Sequence, residues 1–172
     1  MPAPLLKPTG EEPLPHPQRR RGGRRRGSGP CRAAGIRRPC ELARWLAVPT
    51  GAPLLQRARL QGVVGDPPFQ MSTTWLPPET IEEFPNLKQV NTGPGGLYSR
   101  FEEKGHVLMF EESVSCRLPR PQEQEALEVD ASQPVLVTWR RCYNQRERIM
   151  EVTNRTIVGD RHDLVYRFGG RL

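Results

Sequence analysis

A chain of 172 residues with 26 Lys and Arg, 19 Asp and Glu, 19 prolines and few aromatics is long enough for one ordinary domain plus sequence that does not join its core. The charge is uneven: residues 1–38 hold ten Lys and Arg against two Glu, whereas residues 39–172 hold sixteen against seventeen Asp and Glu, so the net +7 belongs to the N-terminal stretch. No run approaches the roughly 18 apolar residues of a membrane span, Met1 to Pro17 lacks the apolar stretch of a signal peptide, and four cysteines without CxxC spacing argue against a disulfide scaffold or a zinc site, which places reduced thiols in a cytoplasm.

Residues 1–38, rich in Arg, Pro and Gly, cannot bury enough apolar surface to offset their ordering entropy and read as a disordered tail. Clustered Arg19 to Arg26 would neutralise phosphates, but no aromatic interleaves them for base stacking. Order is expected from residue 39. Glu41 to Leu46 forms a short amphipathic helix with Leu42, Trp45 and Leu46 on one face, stopped at Pro49-Thr50-Gly51. Leu54 to Leu60 alternates as a strand, Gly62 to Pro68 is a hairpin turn, and Phe69 to Leu76 is the returning strand. Residues 79–84 give one helical turn. Asn91 to Gly96 is a glycine-rich loop running into a helix that Gly105 ends, with Leu97 and Phe101 toward the core. A strand over His106 to Arg117, a helix from Pro121 to Glu128, and strands at Pro134 to Tyr143 and Arg148 to Val158 follow, with a last strand at Leu164 to Phe168 and a short tail over 169–172.

Residues 46–76 and 127–157 resemble each other without a gap at a constant offset of 81, the distance from Leu46 to Leu127. Leu46, Val48, Pro53, Leu55 and Arg59 recur as Leu127, Val129, Pro134, Leu136 and Arg140. A duplicated helix-strand-strand unit would give a pseudo-twofold sheet with a central crevice.

Arg57 and Arg59, two apart on one strand, project from the same face about 7 Å apart and suit a divided anionic group, although the same spacing occurs on an exposed surface. The Gly93 to Gly96 loop offers backbone N–H groups at a helix start, a weak anion signal by itself. Glu151 stands in alternation on the face opposite Met150 and Val152, as a ligand acceptor or a plain exposed position. His16, His106 and His162 form no catalytic or metal-binding spacing. No cofactor is indicated.

Residues 39–168 resemble a UTRA domain, the effector-binding half of HutC-subfamily GntR transcription regulators. Glu41 to Leu46, Gln56 to Arg59, Met71 to Pro77, Gly95 to Glu103, Glu111 to Ser115, Pro134 to Val137, and Glu151-Val152 leading to Gly159-Asp160-Arg161 carry the resemblance in this order. It implies an α+β, chorismate-lyase-like fold: a largely antiparallel sheet with flanking helices and an internal pseudo-repeat. It further implies a small anionic effector, such as a sugar phosphate or organic acid, between the sheet and a loop-helix. The residues it points to are Arg57, Arg59, Ser72, Gly96, Leu97, Tyr98, Glu151 and Ile157. Ser72 stands where some relatives place a carboxylate, and Gly96 where some place a hydroxyl. A homodimer is expected, with DNA bound only through a helix-turn-helix domain that residues 1–38 do not supply. The competing expectations are a chorismate-lyase-like enzyme and a nucleic-acid-binding protein acting through the basic tail.

Overall fold

The computed structural model describes residues 39–92 and 94–166; the expectations for residues 1–38, for Gly93 and for the tail 169–172 lie outside them. The described elements are α1 (Pro39–Trp45), β1 (Leu55–Gln61), β2 (Gln70–Leu76), α2 (Pro78–Glu83), a 3-10 turn (Pro85–Lys88), α3 (Gly96–Glu103), β3 (Met109–Arg117), α4 (Pro121–Leu127), β4 (Val135–Tyr143) and β5 (Ile149–Val158), closed by a second 3-10 turn (Gly159–Arg161). The strands form one sheet in the order β1-β2-β5-β4-β3, every pair antiparallel. This is the α+β arrangement expected from the sequence.

The duplication is visible in the register. Arg59 pairs with Ser72 across β1 and β2, and Arg140 pairs with Thr153 across β4 and β5, each residue raised by 81. At the centre Thr73 pairs with Asn154, its own counterpart at the same offset, so the pseudo-twofold axis passes between β2 and β5 at that pair. α1 precedes β1 as α4 precedes β4.

Alternation along the strands sorts side chains onto two faces. One face carries Trp75, Val152, Val135, Val137 and Val158, and is covered by α1 through Leu42 and Leu46 and by α4 through Leu127. Trp139 ties this layer together, edge-on to Trp45 at 4.9 Å between ring centroids and stacked on Trp75 at 5.8 Å. α1 carries Glu41 in its first turn and Arg44 in its last, both favourable to the helix dipole, and ends where Ala47 turns to φ 53. On the other face, Leu76, Cys142 and Met150 pack with Phe84, Leu87 and Phe101 from the segment spanning α2 to α3. That segment covers one end of the face.

Three expectations are corrected. β3 begins at Met109, not His106, because the His106 amide donates to Phe101 O and the Val107 amide to Gln145 Oε1, so neither is available to a ladder. No strand forms in the described part of Leu164 to Phe168: the chain leaves the sheet in the turn Gly159–Arg161, and residues up to Tyr166 make no ladder. Met150 does not face away from Glu151. A register shift pairs Cys142 with Glu151 but Tyr143 with Ile149, and the extra residue turns Met150 into the cluster of Cys142 and Phe101.

Candidate functional site

The second face of the sheet, beside the α2 to α3 cluster, carries a polar strip. β5 contributes Glu151, Thr153, Arg155 and Ile157 at alternate positions. Arg155 pairs with Ser72 on β2 and Thr138 on β4, and Thr153 pairs with Thr74 and Arg140. β1 adds Arg57 opposite Thr74 and Arg59 opposite Ser72, and β3 adds Glu112 opposite Arg140. The pleat therefore brings Arg59, Ser72, Glu151 and Ile157, from three strands, onto one surface.

α3 reaches this surface through Tyr98, whose hydroxyl donates to Glu151 Oε1 at 2.8 Å. The other carboxyl oxygen, Oε2, accepts from the Thr153 hydroxyl, which stands 2.7 Å from Thr74 Oγ1. Glu151 is fully buried, and burial raises its pKa above the ordinary 4.5 despite the hydroxyls of Thr153 and Tyr98 and the nearby charges of Arg155 and Arg140. The same burial and the Glu151 carboxyl push the Tyr98 phenol well above its ordinary value.

Glu112 behaves oppositely. Burial alone would raise its pKa, but hydrogen bonds and charge from Arg140, with Arg155 beside it, outweigh that and hold it below 4.5. Arg140 donates to Glu112 through Nε at 3.1 Å and Nη2 at 3.2 Å, and Arg155 Nη1 donates at 3.3 Å. Two guanidinium groups thus share one carboxylate. The Tyr166 hydroxyl also stands 3.3 Å from Glu112, so the chain beyond β5 returns to the rim of the strip. The Arg140 guanidinium lies 5.5 Å from the Phe110 ring centroid, and Tyr98 meets Phe110 edge-on at 5.1 Å.

Arg57 has a specific task in this structure. Its guanidinium donates to the carbonyls of Leu87, of Gln89 at 2.8 Å and of Val90 at 3.1 Å, clamping the end of the 3-10 turn to the sheet. Gly96 is buried at the start of α3 with φ 76, after Gly95 with φ 80. A Cβ at Gly95 would meet Ser99 Oγ at 2.1 Å, so both the backbone angle and the space require glycine there. Leu97 and Tyr98 both pack against the cluster of Phe101 and Met150. Ile157 is buried beside Arg155.

Sequence reasoning missed Arg140, Arg155, Glu112, Thr74 and Thr153. The duplication held a usable signal: Arg140 is the counterpart of Arg59, and Thr153 of Ser72, so the second copy could have been read for the same face.

The opposed shifts set a pH dependence. Between 4.5 and its raised pKa, Glu151 holds its proton in the folded protein but not in the unfolded chain, so its contribution to stability declines as pH rises through that window. Glu112, depressed, contributes stability above 4.5 that is lost as pH falls. In urea unfolding, the stability of Glu151→Gln relative to the natural chain is expected to rise with pH from 4.5 upward and then level. A relative stability that falls over that range would contradict the assignment.

The UTRA domain family matches residues 32–163. The effector domain of PhnF from Mycobacterium smegmatis is 26% identical over 76% of this chain and 78% of that one, with a TM-score of 0.65. Against PhnF as a whole, this chain spans 57% of that chain, just over half its length. The C-terminal domain of the histidine utilization repressor from Pseudomonas syringae pv. tomato shares the fold at 20% identity, covering 74% of this chain and 87% of that one with a TM-score of 0.62. A GntR-family transcriptional regulator from Enterococcus faecalis does so at 16% identity, 75% and 91% coverage and a TM-score of 0.64. Among curated proteins none matches. With the matched region spanning most of its length, this chain belongs to the UTRA domain family, the effector domain of GntR-type transcription regulators.

Proposed function

We propose that the polar strip binds a small anionic metabolite, a sugar phosphate or organic acid, and that the bound state controls DNA binding by the regulator to which this domain contributes. The observation that carries the reading is electrostatic. Arg57, Arg59, Arg140 and Arg155 share one sheet face with two carboxyl groups, Glu112 and Glu151. Glu151 is biased toward its neutral form, so cationic charge exceeds anionic charge where α3 meets the sheet. Arg59 and Arg155 stand at the positions flanking Ser72 and would hold the anionic group with Arg140, while Ser72, Thr74 and Glu151 would meet hydroxyl or amine groups. Gly96, Leu97 and Tyr98 would close over the ligand from α3, with Ile157 as an apolar floor. Arg57 would set the position of the loop that leads into α3.

A ligand held between α3 and the sheet favours the packing of that layer which fits it, and can shift a dimer only by its difference in affinity for two arrangements. The domain acts in this reading as a sensor in a cytoplasmic homodimer. The buried carboxyl supports binding over catalysis, because both Glu151 oxygens are engaged by Tyr98 and Thr153 and neither is presented as a base. DNA would be contacted by a helix-turn-helix segment, none of which lies among the described residues.

A thermal-shift screen of phosphorylated sugars and organic acids tests the proposal. An anionic compound is expected to raise the unfolding midpoint while its dephosphorylated or decarboxylated analogue does not. A neutral compound that stabilises as strongly as its anionic relative would overturn the anion assignment.

A further inference from the structure

A second basic cleft lies away from the strip, where the end of α2, the end of α3 and the β4–β5 turn converge. It encloses about 430 Å³, and Glu83, Lys104, Gly105, His106, Arg146 and Arg148 are among its lining residues. Its walls are held by hydrogen bonds within the β4–β5 turn and from that turn to the segment after α3. Asn144 Oδ1 accepts the amides of Arg146 and Arg148, each at 3.0 Å, and Gln145 Oε1 accepts the Val107 amide at 3.0 Å. The cleft is therefore built before anything enters it.

Its charges do not balance. Lys104, Arg146 and Arg148 stand in the lining, and Glu83 is its one carboxylate. Glu83 is already committed: one oxygen stands 2.7 Å from His106 Nε2 and the other accepts from Arg148. Burial would raise the Glu83 pKa, but these two partners outweigh it and hold the carboxyl below 4.5. Glu82, Glu102, Glu103 and Glu147 lie nearby in sequence, yet none lines the cleft. Among the described residues the Arg146 side chain has neither a hydrogen bond nor an ion pair, and the Arg148 Nε is shielded from solvent without a partner. Glu83 is satisfied by one guanidinium, that of Arg148, while Lys104 Nζ donates to the Glu83 carbonyl and lies 4.6 Å from the Phe84 ring centroid, so no carboxylate in the lining neutralises Lys104 or Arg146.

We propose that this cleft is a second ligand site that binds a compact oxyanion, either inorganic phosphate or the phosphate of a phosphomonoester, with Lys104, Arg146 and Arg148 as its donors. Guanidinium forks and an ammonium around one small group match the several acceptor oxygens of phosphate. Lys104 follows α3 directly and Glu83 ends α2, whereas Arg146 and Arg148 belong to the turn of the sheet. A bound anion would therefore rivet the helical layer that carries Tyr98 to the strands beneath it. The proposal stands independently of the reading of the polar strip.

The test is an amide-resolved NMR titration of the full chain with inorganic phosphate, with ionic strength held constant by chloride, since exposed cations respond to salt alone. Saturable shifts are expected at Gly105, His106, Arg146 and Arg148. The double variant Lys104→Ala/Arg146→Ala removes two exposed side chains, of which Lys104 gives up its hydrogen bond to the Glu83 carbonyl, so urea unfolding checks that the fold is kept; it is expected to weaken binding about tenfold or more. Parallel titrations with glycerol phosphate and glycerol separate the two sources: binding of either phosphate compound without binding of glycerol supports the site. Shifts centred on Ser72 and Arg155, no saturation by either phosphate compound, or unchanged affinity in the double variant would overturn it.

Discussion

Replacing Arg117 with alanine is expected to cost about 3 kcal/mol of folding free energy, at the lower end of the range for breaking one side of a buried ion pair. Glu123 on α4 is 1% exposed, and both of its oxygens are held by Arg117, at 2.6 and 2.7 Å. Its other donors are the Arg120 amide at 2.8 Å and the Thr156 hydroxyl at 3.2 Å, neither of which carries charge. Burial raises the Glu123 pKa, but Arg117 and the Arg120 amide outweigh it, so the carboxyl is ionised in the folded protein. Without Arg117 that charge is buried and unpaired. Arg117 is itself 28% exposed, which places the expected loss at the lower end. The loss should shrink as pH falls, because a protonated Glu123 no longer needs a cation, and urea unfolding at neutral and acidic pH measures both effects. A loss below about 1 kcal/mol at neutral pH would show that α4 is not anchored by this pair.

Arg155→Ala is expected to lower affinity for the proposed anionic ligand by roughly ten- to a hundredfold while leaving folding nearly unchanged. A charge-assisted contact is worth about 1.5–3 kcal/mol, which corresponds to that range. Folding is spared because Glu112 keeps both hydrogen bonds from Arg140. Arg59→Ala should act in the same direction, since Arg59 flanks Ser72 from the opposite strand. Arg57→Ala should differ, lowering stability first because it releases the carbonyls of Leu87, Gln89 and Val90. Calorimetric titration paired with urea unfolding of the three variants separates these roles. Equal affinity in natural and Arg155→Ala chains would remove Arg155 from the site.

The sequence was most readable where local pattern and duplication agreed. Alternation in β1 and β5 placed Arg57 and Arg59 on one face and Glu151 opposite Val152, and the constant offset carried through to paired hairpin registers. What it concealed depends on contacts between distant segments. Arg57 reads as half of a same-face pair, and only the return of residues 87–90, some thirty positions on, turns it into a clamp. Glu112 lies in a strand of exposed residues, so its role as a shared counterion for Arg140 and Arg155 follows from strand order, which no local pattern specifies. The placement of Met150 fails for a similar reason: period-two alternation assumes an unbroken ladder, and one inserted residue reverses its side. The strand start expected at His106 fails because the amides of His106 and Val107 are committed to Phe101 and Gln145, contacts that local sequence does not show.

An amide-resolved NMR titration of the domain with the anionic compound that gives the largest stabilisation in the screen tests the effector site most directly. Shifts centred on Ser72, Thr74, Thr153 and Arg155, together with Gly96 to Tyr98 on α3, are the predicted result, with the α1 and α4 face unchanged. Saturable shifts confined to that opposite face, around Leu42 and Leu127, would contradict the assignment of the effector site to the arginine-lined strip.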